Sequence, residues 1–254
     1  NCEYDTGIAF EKVGGIVDTF VFRNITAKDV EESVKEMAKR IKQSQIIALA
    51  GGFSAGDEPE GSGKFITAVF RNPILKEAVM DLVKNRDGLM IGICNGFQAL
   101  IKLGLVPFGE IVDLKDDYPT LTYNKIGRHV STFAATKVVS NLSPWFSNCK
   151  VGDIYNIPLS HGEGRFTANK DYINKLKANG QIAVQYVDPE GKPTLNGLYN
   201  PNGSVEAIEG ITSPDGRILG KMGHSERIGN GLYKNIPGNK DQKLFKAGVN
   251  YFLL

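Results

Sequence analysis

Leu89-Met90-Ile91-Gly92-Ile93-Cys94-Asn95-Gly96-Phe97-Gln98-Ala99-Leu100-Ile101-Lys102-Leu103 is the stretch that decides the fold. Its first five residues form a short unbroken apolar run, the mark of a strand covered on both faces in a parallel sheet. Helical spacing of apolar residues begins at Gly96 and runs through Leu103. Strand therefore passes into helix with almost no loop, and Cys94 stands at the junction. A turn that sharp presses backbone against backbone. Gly92 and Gly96, two residues before and two after the cysteine, leave room that side chains would fill, as in the G-x-S-x-G nucleophile elbow. A thiol so placed lies at a helix N-terminus, where the dipole and the amides favour thiolate. Cysteine is also a common small buried hydrophobe. Glycines on both sides of a strand–helix junction favour the nucleophile.

The rest of the chain fits around that segment. Thr6–Lys12 reads as a short helix stopped by Gly14-Gly15, and Ile16–Phe22 as a strand rich in Val, Ile and Phe. Thr26–Lys42 has helical spacing, with Thr26 as N-cap and Asp29 three residues on. Ile46–Ala50 is a second buried-strand run, ending in Gly51-Gly52-Phe53-Ser54. A glycine-rich polar segment, Ala55–Gly63, leads to helical patterning through Asn85, broken at Pro73. After Pro107 the chain turns β-rich: Thr120–Tyr123, Ser131–Val139, Gln181–Val187 and Val205–Met222, the last bent at Ser213-Pro214-Asp215-Gly216. Lys240–Phe252 reads as a closing helix. The alternation in the first half predicts an α/β fold, an open and mostly parallel sheet with helices on both faces, with β-rich insertions after it.

Composition narrows the function classes. The chain has 254 residues, 41% hydrophobic and 23% charged, with a formal net charge of +2. Nothing in that balance points to a nucleic-acid surface. No apolar run approaches a membrane span and no signal pattern opens the chain. Three widely spaced cysteines, Cys2, Cys94 and Cys149, give neither a disulfide framework nor a CxxC metal knuckle, and suit a reducing cytoplasm. Asn1 stands where an initiator Met is absent, which fits a mature product, a trimmed chain or a domain of a longer polypeptide.

A nucleophilic cysteine needs a base, and only His129, His161 and His224 exist. His224 follows the predicted strand Ile218–Met222, where active sites gather in open α/β sheets, and Glu226 two residues on can orient it. His161, in Ser160-His161-Gly162-Glu163-Gly164-Arg165, is the rival base. His129 reads as structural. Oxyanion donors can come from the Gly51-Gly52-Phe53 turn and from the amide of Asn95.

These segments resemble the class I (triad) glutamine amidotransferases, whose signature G-x-C-x-G-x-Q is matched by Gly92 through Gln98. Within that class the resemblance is to the amidotransferase portion of phosphoribosylformylglycinamidine synthases. It is carried by Asn1–Thr6, Gly51–Asp57, the Cys94 elbow, Ser160–Phe166 and Asn200–Ser204 with Gly223–Arg227. The resemblance implies a flavodoxin-like sheet in one domain over residues 1–254. It implies Cys94 as nucleophile on L-glutamine, His224 as base and Glu226 as its orienter, with Gly52 and Asn95 as the oxyanion hole. Gln98, Phe53, His161, Gly162 and Glu163 would contact the substrate. The implied partner is a synthetase module, fused or separate, that binds ATP and Mg and turns formylglycinamide ribonucleotide into the amidine during purine biosynthesis. No cofactor and no metal is implied for this domain itself, and no P-loop is present, since Gly61-Ser62-Gly63-Lys64 lacks the spacing.

Three departures accompany the resemblance. The family has a strand before Asn1-Cys2, so the first strand, and a synthetase region before it, are expected to be missing from this sequence. Many relatives read HPER where His224-Ser225-Glu226-Arg227 stands, a change expected to alter loop stiffness rather than chemistry. Glu58–Phe65 looks like the fused form of the enzyme. Cys2 is expected to be a packing residue and Cys149 incidental. Two other readings stay open: a cysteine amidase or peptidase on the same sheet, and a regulatory domain without turnover.

Overall fold

A computed structural model describes residues 2–52, 62–229 and 231–253. In chain order the elements are α1 (Glu3–Glu11), α2 (Ala27–Gln43), β1 (Ile46–Leu49), α3 (Lys64–Phe70), α4 (Pro73–Lys84), β2 (Leu89–Ile93), α5 (Asn95–Leu103), α6 (Leu105–Phe108), β3 (Thr120–Thr122), β4 (Val130–Val138), β5 (Ile154–His161), β6 (Arg165–Thr167), α7 (Lys170–Ala178), β7 (Ile182–Tyr186), β8 (Ile208–Thr212), β9 (Ile218–Lys221) and α8 (Leu244–Asn250). Seven strands make one sheet in the order β1-β2-β9-β8-β7-β4-β5, while β3 and β6 pair separately.

β1, β2 and β9 pair in parallel and the remaining four pairings are antiparallel. Followed across the sheet, those pairings make β1, β2, β9, β7 and β5 share one direction, and only β8 and β4 run against it. The α/β class expected from the sequence holds, and the β-rich second half extends the same sheet. All five residues of β2 are buried, so both of its faces are covered. One cover is α5, which packs on β2 and β9, and α4 packs on β2 as well as on α2.

Local chemistry sets most of the boundaries. Thr26 Oγ1 accepts the Asp29 N–H and Asp29 Oδ2 accepts the Thr26 N–H, both at 3.1 Å, so the capping box read from the sequence starts α2. Pro73 separates α3 from α4 and occupies the first turn of α4, where its missing N–H costs nothing, with Asn72 as cap.

Three expectations change. Ile16–Phe22 joins no sheet, and Ile16 and Val21 stand exposed. Val17 and Phe22 rest partly buried on the core, yet among the described residues no neighbouring strand offers the segment a ladder of hydrogen bonds. The closing helix covers only Leu244–Asn250, because Lys243 is held at φ 54° and its N–H is tied to Asp241 Oδ1 at 2.8 Å. β5 lies where no strand is expected from the sequence, and its Pro158 stands on an edge strand, where proline is tolerated.

Candidate active site

The elbow has the predicted geometry. Cys94 sits at φ 53°, ψ −105°, a conformation that costs a non-glycine residue roughly 1–3 kcal/mol. Two backbone bonds hold it there: the Cys94 N–H donates to Lys221 O at 2.8 Å, and Cys94 O accepts the Gln98 N–H at 3.0 Å. Both glycines are sterically required. A Cβ on Gly92 would lie 2.6 Å from the Gly96 carbonyl, and one on Gly96 would lie 2.0 Å from Leu49 O. Asn95 opens α5, so its amide sits at the positive end of that helix.

The partners come from the ends of neighbouring strands. Gly51 and Gly52 follow β1, Cys94 follows β2, His161 ends β5, and His224 with Glu226 follows β9. All four strands share a direction, so these ends lie along one edge of the sheet, where ligands bind in open α/β folds. The edge strand β5 comes back to the segment after β9: the His224 N–H donates to Pro158 O at 2.9 Å. A cavity of about 160 Å³ opens among Cys2, Gly52, Ser62, Cys94, Asn95, Gln98, Ser160, His161, Gly162, His224 and Arg227.

His224 and Glu226 are buried and paired, with Nδ1 to Oε1 at 2.6 Å. Burial pulls the imidazole toward neutrality. The neighbouring Cys2 and Cys94 sulfurs and the hydrogen bond and charge of Glu226 outweigh that pull and raise His224 to about 12. Among the described residues its Nε2 is buried without a hydrogen-bond partner, as is that of His161, and so is open to a substrate. His161 is the opposite case. Its Nδ1 meets Asn124 Oδ1 at 3.1 Å and, among the described residues, no carboxylate pairs with it. Burial, helped by the charges of His224 and His129, pushes it down to about 3. Of the two bases left open by the sequence, only His224 has an orienting acid.

Gly52 adopts φ +88° and borders the cavity, which a backbone oxyanion donor requires. A Cβ on Gly51 would come within 2.7 Å of His224 Cε1, so this turn must be bare for the histidine to fit. The Gln98 side-chain amide donates to the Glu163 carbonyl, fixing Gln98 at the cavity wall. Gly162 lines the cavity; Glu163 is buried beside it but does not line it. Phe53 lies outside the described residues, as does most of the polar loop after it.

Other neighbours were not assigned from the sequence. Cys2 is buried as expected, yet its sulfur lies 3.9 Å from His224 Nδ1 and 3.1 Å from Arg227 Nη2. The Cys94 thiol donates to Ser160 O at 3.6 Å. Cys2, His224 and Glu226 bring possible ligand atoms within 4.8 Å of one another, the one such grouping among the described residues. Those atoms are already committed, Nδ1 to Glu226 and the sulfur to Arg227. Ser225 gives its hydroxyl proton to Gln242 Oε1 at 2.6 Å and takes a bond from Lys221 Nζ at 3.0 Å. A spacing rule cannot find contacts that cross more than 200 positions, as those of Cys2 do.

A family model described as the CobB/CobQ-like glutamine amidotransferase domain matches residues 1–252. The chain belongs to the glutamine amidotransferase family. It is 35% identical over 231 residues to the phosphoribosylformylglycinamidine synthase subunit PurQ of Methanococcus maripaludis, covering 89% of this chain and 78% of that one. The PurQ subunit of Symbiobacterium thermophilum is 30% identical, with 98% and 91% covered. Among solved structures, PurLQS from Thermotoga maritima superposes with a TM-score of 0.67 and 26% identity over 99% of this chain and 93% of that one. This amidotransferase also has no helix, among its described residues, long and apolar enough to cross a membrane.

Proposed function

We propose that the chain is the glutaminase component of phosphoribosylformylglycinamidine synthase, with Cys94, His224 and Glu226 as its triad. The observation that carries the assignment of residues is the convergence of an elbow cysteine and a carboxylate-paired histidine on one small cavity. At about 160 Å³ that cavity is smaller than the roughly 300–1,000 Å³ typical of drug-sized ligands and suits a single amino acid.

On this reading the Cys94 thiolate attacks the side-chain carbonyl carbon of L-glutamine. The oxyanion is held by the Gly52 and Asn95 amides. His224 Nε2 gives its proton to the departing nitrogen, releasing ammonia and leaving a γ-glutamyl thioester. Water then attacks the thioester as His224 takes its proton, and glutamate leaves with the thiolate restored. Glu226 keeps Nδ1 protonated and Nε2 facing the reaction throughout. Gln98, with the backbone of His161 and Gly162, shapes the wall around the substrate.

The names of the relatives support the wider reading. The ammonia passes to a synthetase partner that carries the ATP and magnesium chemistry and forms the amidine of formylglycinamide ribonucleotide, in the cytoplasm. The family match over nearly the whole length supports one amidotransferase domain.

The test is stoichiometric alkylation by a chloroketone analogue of glutamine, mapped by mass spectrometry. Label on Cys94, blocked by L-glutamine and absent in Cys94→Ala, is expected. Label on Cys2 or Cys149 instead, or peptide cleavage without glutamate release, would sink the assignment.

A further inference from the structure

Beneath the active-site edge lies an ion pair that the mechanism does not use. Lys221 and Glu209 have no exposed side-chain surface, and Nζ lies 3.2 Å from Oε1. The remaining bonds of this pair go to the residues on either side of the base. Lys221 Nζ donates to Gly223 O at 2.7 Å and to Ser225 Oγ at 3.0 Å, while Glu209 Oε1 accepts the Gly223 N–H at 2.6 Å. Three donor protons on the ammonium meet three acceptors, and two of these flank His224 in sequence. The backbone of the same lysine holds the nucleophile, because Lys221 O accepts the Cys94 N–H.

The surroundings are shaped for this lysine. A Cβ on Gly223 would stand 2.9 Å from Glu209 Oε1 and 3.0 Å from Lys221 Nζ, and one on Gly210 would stand 2.9 Å from Lys221 Cβ. A buried ion pair is a poor source of stability, since an apolar pair of equal volume often serves as well or better. Its value here is directional: it fixes both peptide groups of Gly223 and the hydroxyl of Ser225, and so the path of the chain through His224 to Glu226.

We propose that the Lys221–Glu209 pair is a positioning clamp that sets the imidazole of His224 against Cys94. The clamp rests on the glutaminase reading above. Lys221 and Glu209 touch no substrate; they act through His224. Loss of the clamp lets the imidazole drift, and a displacement near 1 Å can cost on the order of 10²-fold in rate.

The test compares the chain with the double variant Lys221→Met/Glu209→Gln, which keeps the volume, the Lys221 carbonyl and an acceptor for the Gly223 N–H, and leaves no lone charge. Lys221→Met alone strands a buried carboxylate and serves as the folding control. Chloroketone alkylation of Cys94 is followed at neutral pH, separating the maximal rate from the half-saturating concentration. The double variant should unfold at a urea midpoint equal to or above the parent's. Its maximal alkylation rate should fall about 10- to 100-fold, with half-saturation changed less than about threefold. Ser225→Ala should show a smaller change of the same kind. A folded double variant with the parent's maximal rate overturns the clamp and leaves the glutaminase reading standing. Rate, half-saturation and cooperative unfolding lost together would make the pair a piece of scaffold and overturn it too. A parent chain never labelled at Cys94 brings down the glutaminase reading and the clamp with it.

Discussion

Acid should weaken this fold through His161 before the carboxylates titrate in bulk. The ordinary value of an imidazole is 6.5, and native His161 is held at about 3 by burial and by the charges of His224 and His129. Below pH 6.5 the unfolded chain takes up a proton that the native chain refuses, so stability falls as pH falls. The limiting slope is about 1.4 kcal/mol per pH unit. Integrated from pH 6.5 to 4.5, and allowing for half-protonation at the upper limit, the loss is about 2 kcal/mol. His224 offsets only about 0.4 kcal/mol of this, because it stays protonated in the native chain and is already half-protonated in the unfolded chain at the upper limit. The assay is urea unfolding followed by the fluorescence of Trp145, the single tryptophan, which is fully buried. His161→Gln removes the titrating group and shifts the whole curve by some amount. The decisive quantity is the difference in slope, with the parent steeper by about 1 kcal/mol per unit between pH 6 and 4.5. Parallel curves for parent and variant would refute the buried, proton-refusing state of His161.

Three further outcomes follow from the same geometry. Gly96→Ala drives a Cβ to 2.0 Å from Leu49 O, a backbone atom, and should cost about 1–3 kcal/mol together with the Cys94 label. Gly197→Ala, which meets open space, should stay within about 0.5 kcal/mol of the parent in the same denaturation series. Glu226→Gln removes the charge that helps raise His224 and leaves a neutral amide oxygen as the acceptor for Nδ1. Steady-state glutamine hydrolysis should drop roughly 10²- to 10⁴-fold, and the loss of stability as pH rises above 6.5, the alkaline consequence of a raised histidine, should shrink. Unchanged turnover in that variant would remove Glu226 from the triad.

What the sequence made legible was local. The Gly92, Cys94, Gly96 spacing encodes the elbow because the clashes that enforce it arise within a few residues and from one neighbouring strand. The capping box at Thr26 is legible for the same reason. What it hid depends on partners far along the chain. Ile16–Phe22 has the composition of a strand and lays Val17 and Phe22 on the core, but among the described residues pairs with no strand. Ile154–His161 is not legible as a strand from its local pattern; it pairs with β4, more than fifteen residues earlier, and its place at the edge accommodates Pro158. Lys221 reads as a charged residue closing a strand, and only the register of β8 against β9, which sets Gly210 opposite Lys221, brings Glu209 and the ammonium together.

Strand direction explains which parts of a long sequence could contribute to the site at all. β1, β2, β9 and β5 end on one edge of the sheet, and each delivers part of the chemistry there: a bare turn, a nucleophile, a base with its acid, and a cavity wall. β8 and β4 run against them and end on the far edge, and neither β8 nor β4 supplies a residue that lines the cavity. The antiparallel half of the sheet is therefore a spacer with a purpose, since β7 and β4 carry β5 far enough round for Pro158 to meet the His224 amide. The base is thereby fixed from three sides, by Pro158 on the backbone, by Glu226 on the ring and by Lys221 through its neighbours. A residue strained by roughly 1–3 kcal/mol at Cys94 is useful only opposite a base that cannot wander, and the sheet supplies both from the same edge.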